Sequence, residues 1–386
     1  MNVLVLSSIF PLKEIPAKVD ENDIILVTND ALKEKVPSYH FVYGFPVLYV
    51  NRVLSYLSPK WKGYYILKKK KKTSSVNGNS IHVFPVFRIS RYPLIGRLLM
   101  DFHFFLCSGR YGKFLKENKI ELIHAHSVAS DGYLAYKLYK KFKIPYILTV
   151  RELNKGNQED RVITNSSGLI CLNGVDKNLV KSKYHREAEL IPHGLVQEFF
   201  HEKKEYNTSG KLRLLSVCRL IALKNLDQVI LSLKDSGIDF IYDIYGDGVE
   251  YKNLKNLIKQ YGLENKITLK GKIPYNEIQS LYTSYDLFIM PSYPEALGRV
   301  YFESMASATP VVACKGTGLD GFIEDYKDGF LIDRTNICSE LTNVLVHIDK
   351  ERHLLKNISE NSRKIADQYK WEEVLQKIHN VYQAQQ

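Results

Sequence analysis

L-F-I-M-P-S-Y-P-E-A-L-G-R-V-Y-F-E, running from Leu287 to Glu303, carries a short apolar strand, a loop and the opening of a helix in one stretch. The strand is Leu287–Met290, and an apolar helical pattern begins near Gly298. Two carboxylates, Glu295 and Glu303, frame the turn between them. They lie eight residues apart, a little over two helical turns, which leaves Glu295 on the loop and puts Glu303 inside the helix. A helix N-terminus offers unpaired N–H groups and partial positive charge, which suits a sugar-nucleotide diphosphate, and nearby carboxylates accept hydrogen bonds from sugar or ribose hydroxyls. The same spacing also fits an ordinary first-turn acid followed by a solvated helix residue, so the rest of the chain has to decide.

Working outward, the strand–helix alternation continues on both sides. Leu212–Val217, Phe240–Tyr245 and Ile267–Leu269 read as strands, separated by helices near Asn225–Lys234, Lys252–Tyr261 and Tyr275–Tyr285; strands at Pro310–Ala313 and Gly329–Ile332 follow. The first half repeats the pattern. Asn2–Leu6 and Asp23–Val27 read as strands on either side of the loop Ser7–Pro16. Ile81–Phe87, Glu121–Ile123 and Pro145–Val150 are further strands, with helices at Gly96–Asn118 and about Asp131–Lys141. Short apolar strands alternating with helices predict an α/β fold with parallel sheets covered on both faces. The polar stretch 202–211 has no apolar periodicity and reads as a linker, giving two doubly wound, Rossmann-like halves at 1–201 and 212–368.

Composition sets bounds on function. A chain of 386 residues with 45% hydrophobic and 25% charged residues is globular and long enough for two cores. No signal-like or spanning apolar run stands out, so a cytoplasmic protein is expected. Five scattered cysteines without a C-x-x-C suggest neither a disulfide framework nor a thiolate zinc site. The net charge of +12 favours phosphate-bearing partners. It is concentrated at Lys68–Lys72, after Trp61, Tyr64 and Tyr65, and continues through Arg88, Arg91 and Arg97. A basic run beside aromatics suits an anionic membrane surface, and a merely solvated loop is the competing reading. No nucleic-acid-binding motif accompanies the charge, so nucleic acid is not an expected partner.

Ligands of open parallel sheets bind beyond the carboxyl ends of the strands, so residues directly after strands are the candidates. Arg219 and Lys224 follow Leu212–Val217 and form a possible diphosphate clamp. Gly246 and Gly248 follow Phe240–Tyr245, where glycines let backbone approach a phosphate or simply make a turn. Gly271 ends its strand, and the backbone of Lys272 and Ile273 is placed to meet a flat nucleobase. His126 follows Glu121–Ile123 and suits a sugar hydroxyl or developing charge, whereas His124 lies deeper and is expected to be buried.

In this order the residues resemble the group-1 family of retaining glycosyltransferases, which have the GT-B architecture of two facing Rossmann-like domains. The resemblance rests on H-A-H (His124–His126), I-P-H-G-L (Ile191–Leu195), S-V-C-R-L with a downstream lysine (Ser216–Leu220, Lys224), Y-G-D-G (Tyr245–Gly248), L-K-G-K-I (Leu269–Ile273) and the run Pro291–Ala313. Y-K-W-E-E-V (Tyr369–Val374) is similar to the segment with which such enzymes cross back to the N-terminal domain, making 369–386 the crossover helix. The resemblance implies that Glu295 binds donor-sugar hydroxyls, Glu303 the ribose, and Arg219 with Lys224 the diphosphate. Backbone N–H groups of Ala296, Leu297 and Gly298 bind sugar or phosphate, and His126 lies at the reacting sugar on the acceptor side. It implies a UDP- or GDP-linked sugar as substrate, with no metal and no cofactor. The chain departs from the family in its first loop, which lacks paired glycines, in Arg151-Glu152 where His-Gly is usual, and in Cys218 beside Arg219.

The expected activity is retaining, metal-independent transfer of a hexosyl or related sugar to a glycan or lipid-linked acceptor. Surface polysaccharide synthesis is the expected setting, with peripheral attachment to the inner face of the membrane through Lys68–Lys72. A nucleotide-sugar epimerase of similar shape and a catalytically silent scaffold subunit are the alternatives.

Overall fold

The computed structural model describes residues 1–8, 10, 12, 24–48, 56, 59–74, 78–86, 93–151, 153, 157–203 and 205–385. Arg88, Arg91 and Glu152, and the side chains of Trp61 and Arg97, lie outside them. The chain divides into two compact units, one of Met1–Leu172, Asp176–Leu190 and Lys377–Gln386, the other of Asn173–Val175 and Ile191–Gln376.

The first unit contains, in chain order, β1 (Asn2–Leu6), α1 (Ile24–Lys35), β2 (His40–Leu48), α2 (Pro59–Lys68), β3 (Lys72–Ser74), β4 (Ser80–Val86), α3 (Pro93–Glu117), β5 (Leu122–Ala125), α4 (Ser130–Phe142), β6 (Tyr146–Val150), α5 (Asn157–Thr164), β7 (Gly168–Cys171), α6 (Gly174–Tyr184) and β8 (Glu189–Leu190). Its strands lie in the order β3-β4-β2-β1-β5-β6-β7-β8. Among the described strands β3 and β4 pair antiparallel and the remaining neighbours pair parallel. Every residue of β5 and β6 is buried, which is why these strands read as continuous apolar runs and not as alternations. Leu4, Leu6, Ile123, Leu134, Leu138 and Leu148 share one core.

The reading of Asp23–Val27 as a strand is corrected here: Ile24–Lys35 is a helix. Its buried residues Ile25, Leu26, Asn29 and Leu32 recur at helical spacing, and a short apolar run alone does not separate strand from helix. The second strand is His40–Leu48, paired to β1 from Asn2↔His40 to Leu6↔Gly44.

The second unit contains β9 (Leu212–Val217), α7 (Leu226–Asp235), β10 (Phe240–Tyr245), α8 (Tyr251–Gln260), β11 (Ile267–Gly271), α9 (Tyr275–Leu281), β12 (Leu287–Ile289), α10 (Arg299–Ala306), β13 (Val311–Cys314), β14 (Phe330–Ile332), α11 (Ile337–Lys350) and α12 (Leu354–Asp367). The last helix, α13 (Trp371–Gln383), begins in this unit, and its residues from Lys377 onward count with the first. The six strands are all parallel, in the order β11-β10-β9-β12-β13-β14. Leu214, Ile230, Tyr242, Ile289, Val312 and Leu345 belong to the core between sheet and helices. The glycine of I-P-H-G-L is explained by packing: a Cβ on Gly194 would stand 2.5 Å from the Trp371 ring, and Leu195 pairs by backbone with Tyr369 and Trp371.

In this second sheet β9 is flanked by β10 on one side and β12 on the other, so the strand order reverses between β9 and β12. Such a reversal is the switch point of an open parallel sheet, outside whose strand carboxyl ends ligands bind. The loop after β9 holds Arg219 and Lys224; the loop after β12 holds Glu295.

Candidate functional site

The two loops are stapled together at this switch point. Tyr293 N–H donates to the Leu223 carbonyl at 2.9 Å, and Asn225 Nδ2 donates to the Pro291 carbonyl at 2.7 Å. Between these bonds Lys224 Nζ donates to Glu295 Oε2 at 2.5 Å and to Ser292 Oγ at 3.3 Å, while Ser292 Oγ donates to the same carboxylate oxygen at 3.0 Å. Both charged side chains are about 15% exposed (15% and 16%), so the pair is screened less than a surface ion pair while remaining reachable. Glu295 Oε1 has no hydrogen-bond partner among the described residues.

The Glu295 backbone is fixed from a third loop. Its N–H donates to Thr317 Oγ1 at 2.7 Å, Thr317 Oγ1 donates back to the Glu295 carbonyl at 2.7 Å, and Gly318 N–H joins it at 2.8 Å. Beyond this anchor the N–H groups of Ala296, Leu297 and Gly298 find no acceptor among the described residues, and Gly298 caps α10 with φ +71°. A Cβ on Gly298 would meet the Tyr301 ring at 2.5 Å. Three free donors therefore lead into a helix N-terminus beside a lysine, an arrangement suited to an anion. Arg219 is exposed at the same strand end and has no ionic partner among the described residues.

Glu303 is not a solvated helix residue. It is 3% exposed on α10, where Arg299 Nη2 reaches Oε1 at 3.2 Å and Tyr282 OH donates to Oε2 at 3.1 Å. Arg299 Nη2 also donates to Tyr275 OH at 2.5 Å. Burial pushes the Glu303 carboxyl above its usual range, and Arg299 and the Tyr282 bond pull it back. Arg299 Nε is buried without an acceptor among the described residues.

The glycines after β10 are demanded by close backbone approach. A Cβ on Gly246 (φ +141°) would stand 1.8 Å from the Cys218 carbonyl oxygen, and one on Gly248 would stand 2.2 Å from that of Leu220. Leu220 N–H donates to the Asp247 carbonyl at 2.9 Å, so the Y-G-D-G turn braces the loop that carries Arg219. Gly246 N–H donates to the Gly271 carbonyl at 2.7 Å, which aligns the ends of β10 and β11. Gly271 has φ +76° with open space where a Cβ would be; Lys272 is exposed and 3.5 Å from Asp247, and Ile273 is half-buried.

His126 belongs to the first unit, at the carboxyl end of β5, where its N–H donates to the Leu6 carbonyl at 3.0 Å. Its ring stacks on that of His124, with centroids 4.1 Å apart. His124 is buried as expected, between Tyr382 OH at 2.7 Å and Thr149 Oγ1 at 2.8 Å, and burial together with Arg151 lowers its pKa to about 3. Asp131, at the start of α4, is 1% exposed and receives Ser8 N–H at 3.1 Å and Ser127 Oγ at 2.9 Å, tying the loops after β1 and β5 together.

Sequence reasoning found Lys224 and Glu295 but not the residues that hold them. Ser292 lay inside the quoted stretch, three positions before Glu295. Thr317 lies three residues after β13, so the strand-end rule that selected the others also reaches it. Arg299 was visible as the residue four positions before Glu303 on one helical face. Asp131 gave no local signal beyond an acid in a first turn.

Residues 197–365 match the family model described as Glycosyl transferases group 1. An uncharacterized glycosyltransferase of Methanocaldococcus jannaschii is 28% identical over 284 residues, covering 71% of this chain and 78% of its own. The alpha-monoglucosyldiacylglycerol synthase of Acholeplasma laidlawii is 23% identical over 317 residues, covering 72% and 78%. Among solved structures, Anabaena HepE in complex with UDP is similar over 100% of both chains with a TM-score of 0.68 at 18% identity, so the likeness is one of fold. The expected α/β fold of two Rossmann-like domains, with GT-B neighbours, is borne out.

Proposed function

We propose that this chain, which belongs to the group 1 glycosyl transferases through residues 197–365, moves a hexose from a UDP-linked donor to a glycan or lipid-linked acceptor with retention of configuration. The observation that carries this reading is the Lys224–Glu295 pair set beside three unpaired backbone N–H groups at the switch point of the second sheet. A UDP-linked donor is favoured over a GDP-linked one by the UDP complex of HepE. A lipid-linked acceptor at the inner face of a membrane is favoured by the likeness to a diacylglycerol glycolipid synthase, with surface polysaccharide synthesis as the setting.

In the proposed reaction the bond between the anomeric carbon and the diphosphate oxygen breaks through an oxocarbenium-like state, and its electron pair leaves with the diphosphate. Arg219, the remaining donor of Lys224 and the N–H groups of Ala296, Leu297 and Gly298 stabilise that growing charge, so the charge work needs no metal ion. Glu295 Oε1 accepts a hydroxyl of the transferred sugar. Its Oε2 keeps Lys224 in place. An acceptor hydroxyl attacks from the same face and passes its proton to the departing phosphate oxygen, so no protein nucleophile is assigned. Glu303 accepts the ribose hydroxyls through the lone pairs left over by Arg299 and Tyr282. Gly246 and Gly248 let the diphosphate approach, the backbone at Gly271, Lys272 and Ile273 meets the base, and His126, in the first unit, serves a hydroxyl of the acceptor.

Transfer from a labelled UDP-hexose by Glu295→Ala tests this reading. Loss of about 100-fold or more with an unchanged melting temperature is expected, in the range seen when a transition-state contact is removed. Unchanged transfer refutes the site, and conversion of the donor with no acceptor present identifies an epimerase instead.

A further inference from the structure

Helix α3 has two apolar faces and the fold uses one. Phe104, Tyr111 and Leu115 are buried in the first unit's core, and Tyr111 OH donates to the Pro85 carbonyl at 3.0 Å. On the outer side Leu98, Phe102, Phe105 and Leu106 are 71%, 62%, 69% and 64% exposed. Their spacing of four, three and one makes a single stripe over two turns, the pattern of a helix lying on an apolar phase.

The stripe turns basic as it continues. Arg110, Lys113 and Lys116 are exposed along it. Arg110 and Lys113 line a cavity of about 490 Å³ together with Lys71 and Lys72, the end of the lysine run, and His82. Glu117 is the acid of that lining, and it lies 3.7 Å from Lys113. Where the apolar stripe meets the basic band, Lys141 of α4 stands 6.0 Å from the Phe105 ring centroid and donates to Ser108 Oγ at 2.6 Å. The protruding apolar groups thus run into a band of cations toward the C-terminal end of the helix.

We propose that this face of the first unit docks on a bilayer containing anionic lipid, with Leu98, Phe102, Phe105 and Leu106 entering the acyl boundary and the Lys71, Lys72, Arg110 and Lys113 cavity receiving lipid phosphate groups. The proposal rests on the proposed lipid-linked acceptor for its use, though not for the surface itself. No described helix is long and apolar enough to cross a membrane, so α3 lies in the interface plane. Charge decides the occupant. Two copies meeting through α3 would press two basic bands together, whereas anionic headgroups neutralise them in a chain of net charge +12.

The test is co-sedimentation of the full chain with phosphatidylcholine vesicles, with and without phosphatidylglycerol. Binding is expected to the anionic vesicles and to weaken about tenfold or more in the double variant Phe102→Ser/Phe105→Ser, whose changes are exposed and should leave the melting temperature in place. Arg110→Glu/Lys113→Glu should abolish the preference for anionic vesicles. In Phe105→Trp, indole emission should shift to the blue on binding and be quenched by brominated acyl chains. Undiminished binding in both double variants, or indole emission that vesicles do not move, overturns the proposal. So does a dimer in sedimentation velocity that Phe102→Ser/Phe105→Ser converts to monomer, which assigns the face to a second copy. UDP binding, read by thermal shift in the same variants, should be unchanged, which separates a failure here from a failure of the donor site.

Discussion

Lys224 and Glu295 compensate each other at 2.5 Å, and each needs the other to sit in a largely enclosed loop without a bare charge. In Lys224→Ala the carboxylate loses its cation and the proposed leaving group loses a donor, so kcat should fall about 100-fold or more, with a smaller change in KM; steady-state kinetics read both. Gly246→Ala is a stability test, because its Cβ would overlap the Cys218 carbonyl oxygen at 1.8 Å. A loss of about 3 kcal/mol or more is expected in urea unfolding. Both residues were legible in the sequence, since strand ends and glycine turns announce themselves locally. Ser292 and Thr317 lie within reach of the same strand-end rule, but their importance lies in which loop they meet, and that is fixed by strand order. Gly246 and Gly248, first read as letting backbone approach a phosphate, are required by the close approach of the Cys218–Leu220 backbone.

At the scale of elements, α10 does more than carry Glu303. Its first residue, Arg299, pairs with Glu303 at 3.2 Å one turn later, and both are held against Tyr275 and Tyr282. Arg299→Ala leaves a buried carboxylate without its cation, which costs on the order of 3 kcal/mol. The carboxyl should then take up a proton more readily, so calorimetry of the variant should show stability recovering as pH falls, a trend weaker in the parent. The second sheet was readable almost strand for strand because its strands are short apolar runs set off by amphipathic helices. The first half was harder. Ile24-Ile25-Leu26-Val27 looks the same as a strand until Asn29 and Leu32 show the helical period, and α3 conceals its buried side because its outer side is apolar as well.

At the scale of the whole molecule, the chain closes its first unit with its own end. Lys377–Gln386 belong to that unit, and Tyr382 OH bonds His124 in β5 at 2.7 Å. Because His124 stays neutral down to about pH 3 when folded but takes up a proton below about 6.5 when unfolded, the unfolded state binds more protons in that window. Stability of the first unit should therefore fall as pH drops below about 6.5, by about 2 kcal/mol at pH 5, and His124→Gln should flatten that slope. The second unit carries the proposed donor site, and a ligand that binds only the folded state raises the melting temperature of what it binds. The most direct test is a thermal-shift titration of the chain and of Lys224→Ala with UDP-glucose, UDP-galactose, UDP-N-acetylglucosamine and GDP-mannose. At least one UDP-sugar is expected to raise the melting temperature by several degrees (about 2–4 °C per kcal/mol of binding) in the parent and to lose that effect in the variant. A folded parent that responds to no nucleotide sugar, or an equal response in Lys224→Ala, contradicts the claim that the switch point of the second sheet is a nucleotide-sugar site.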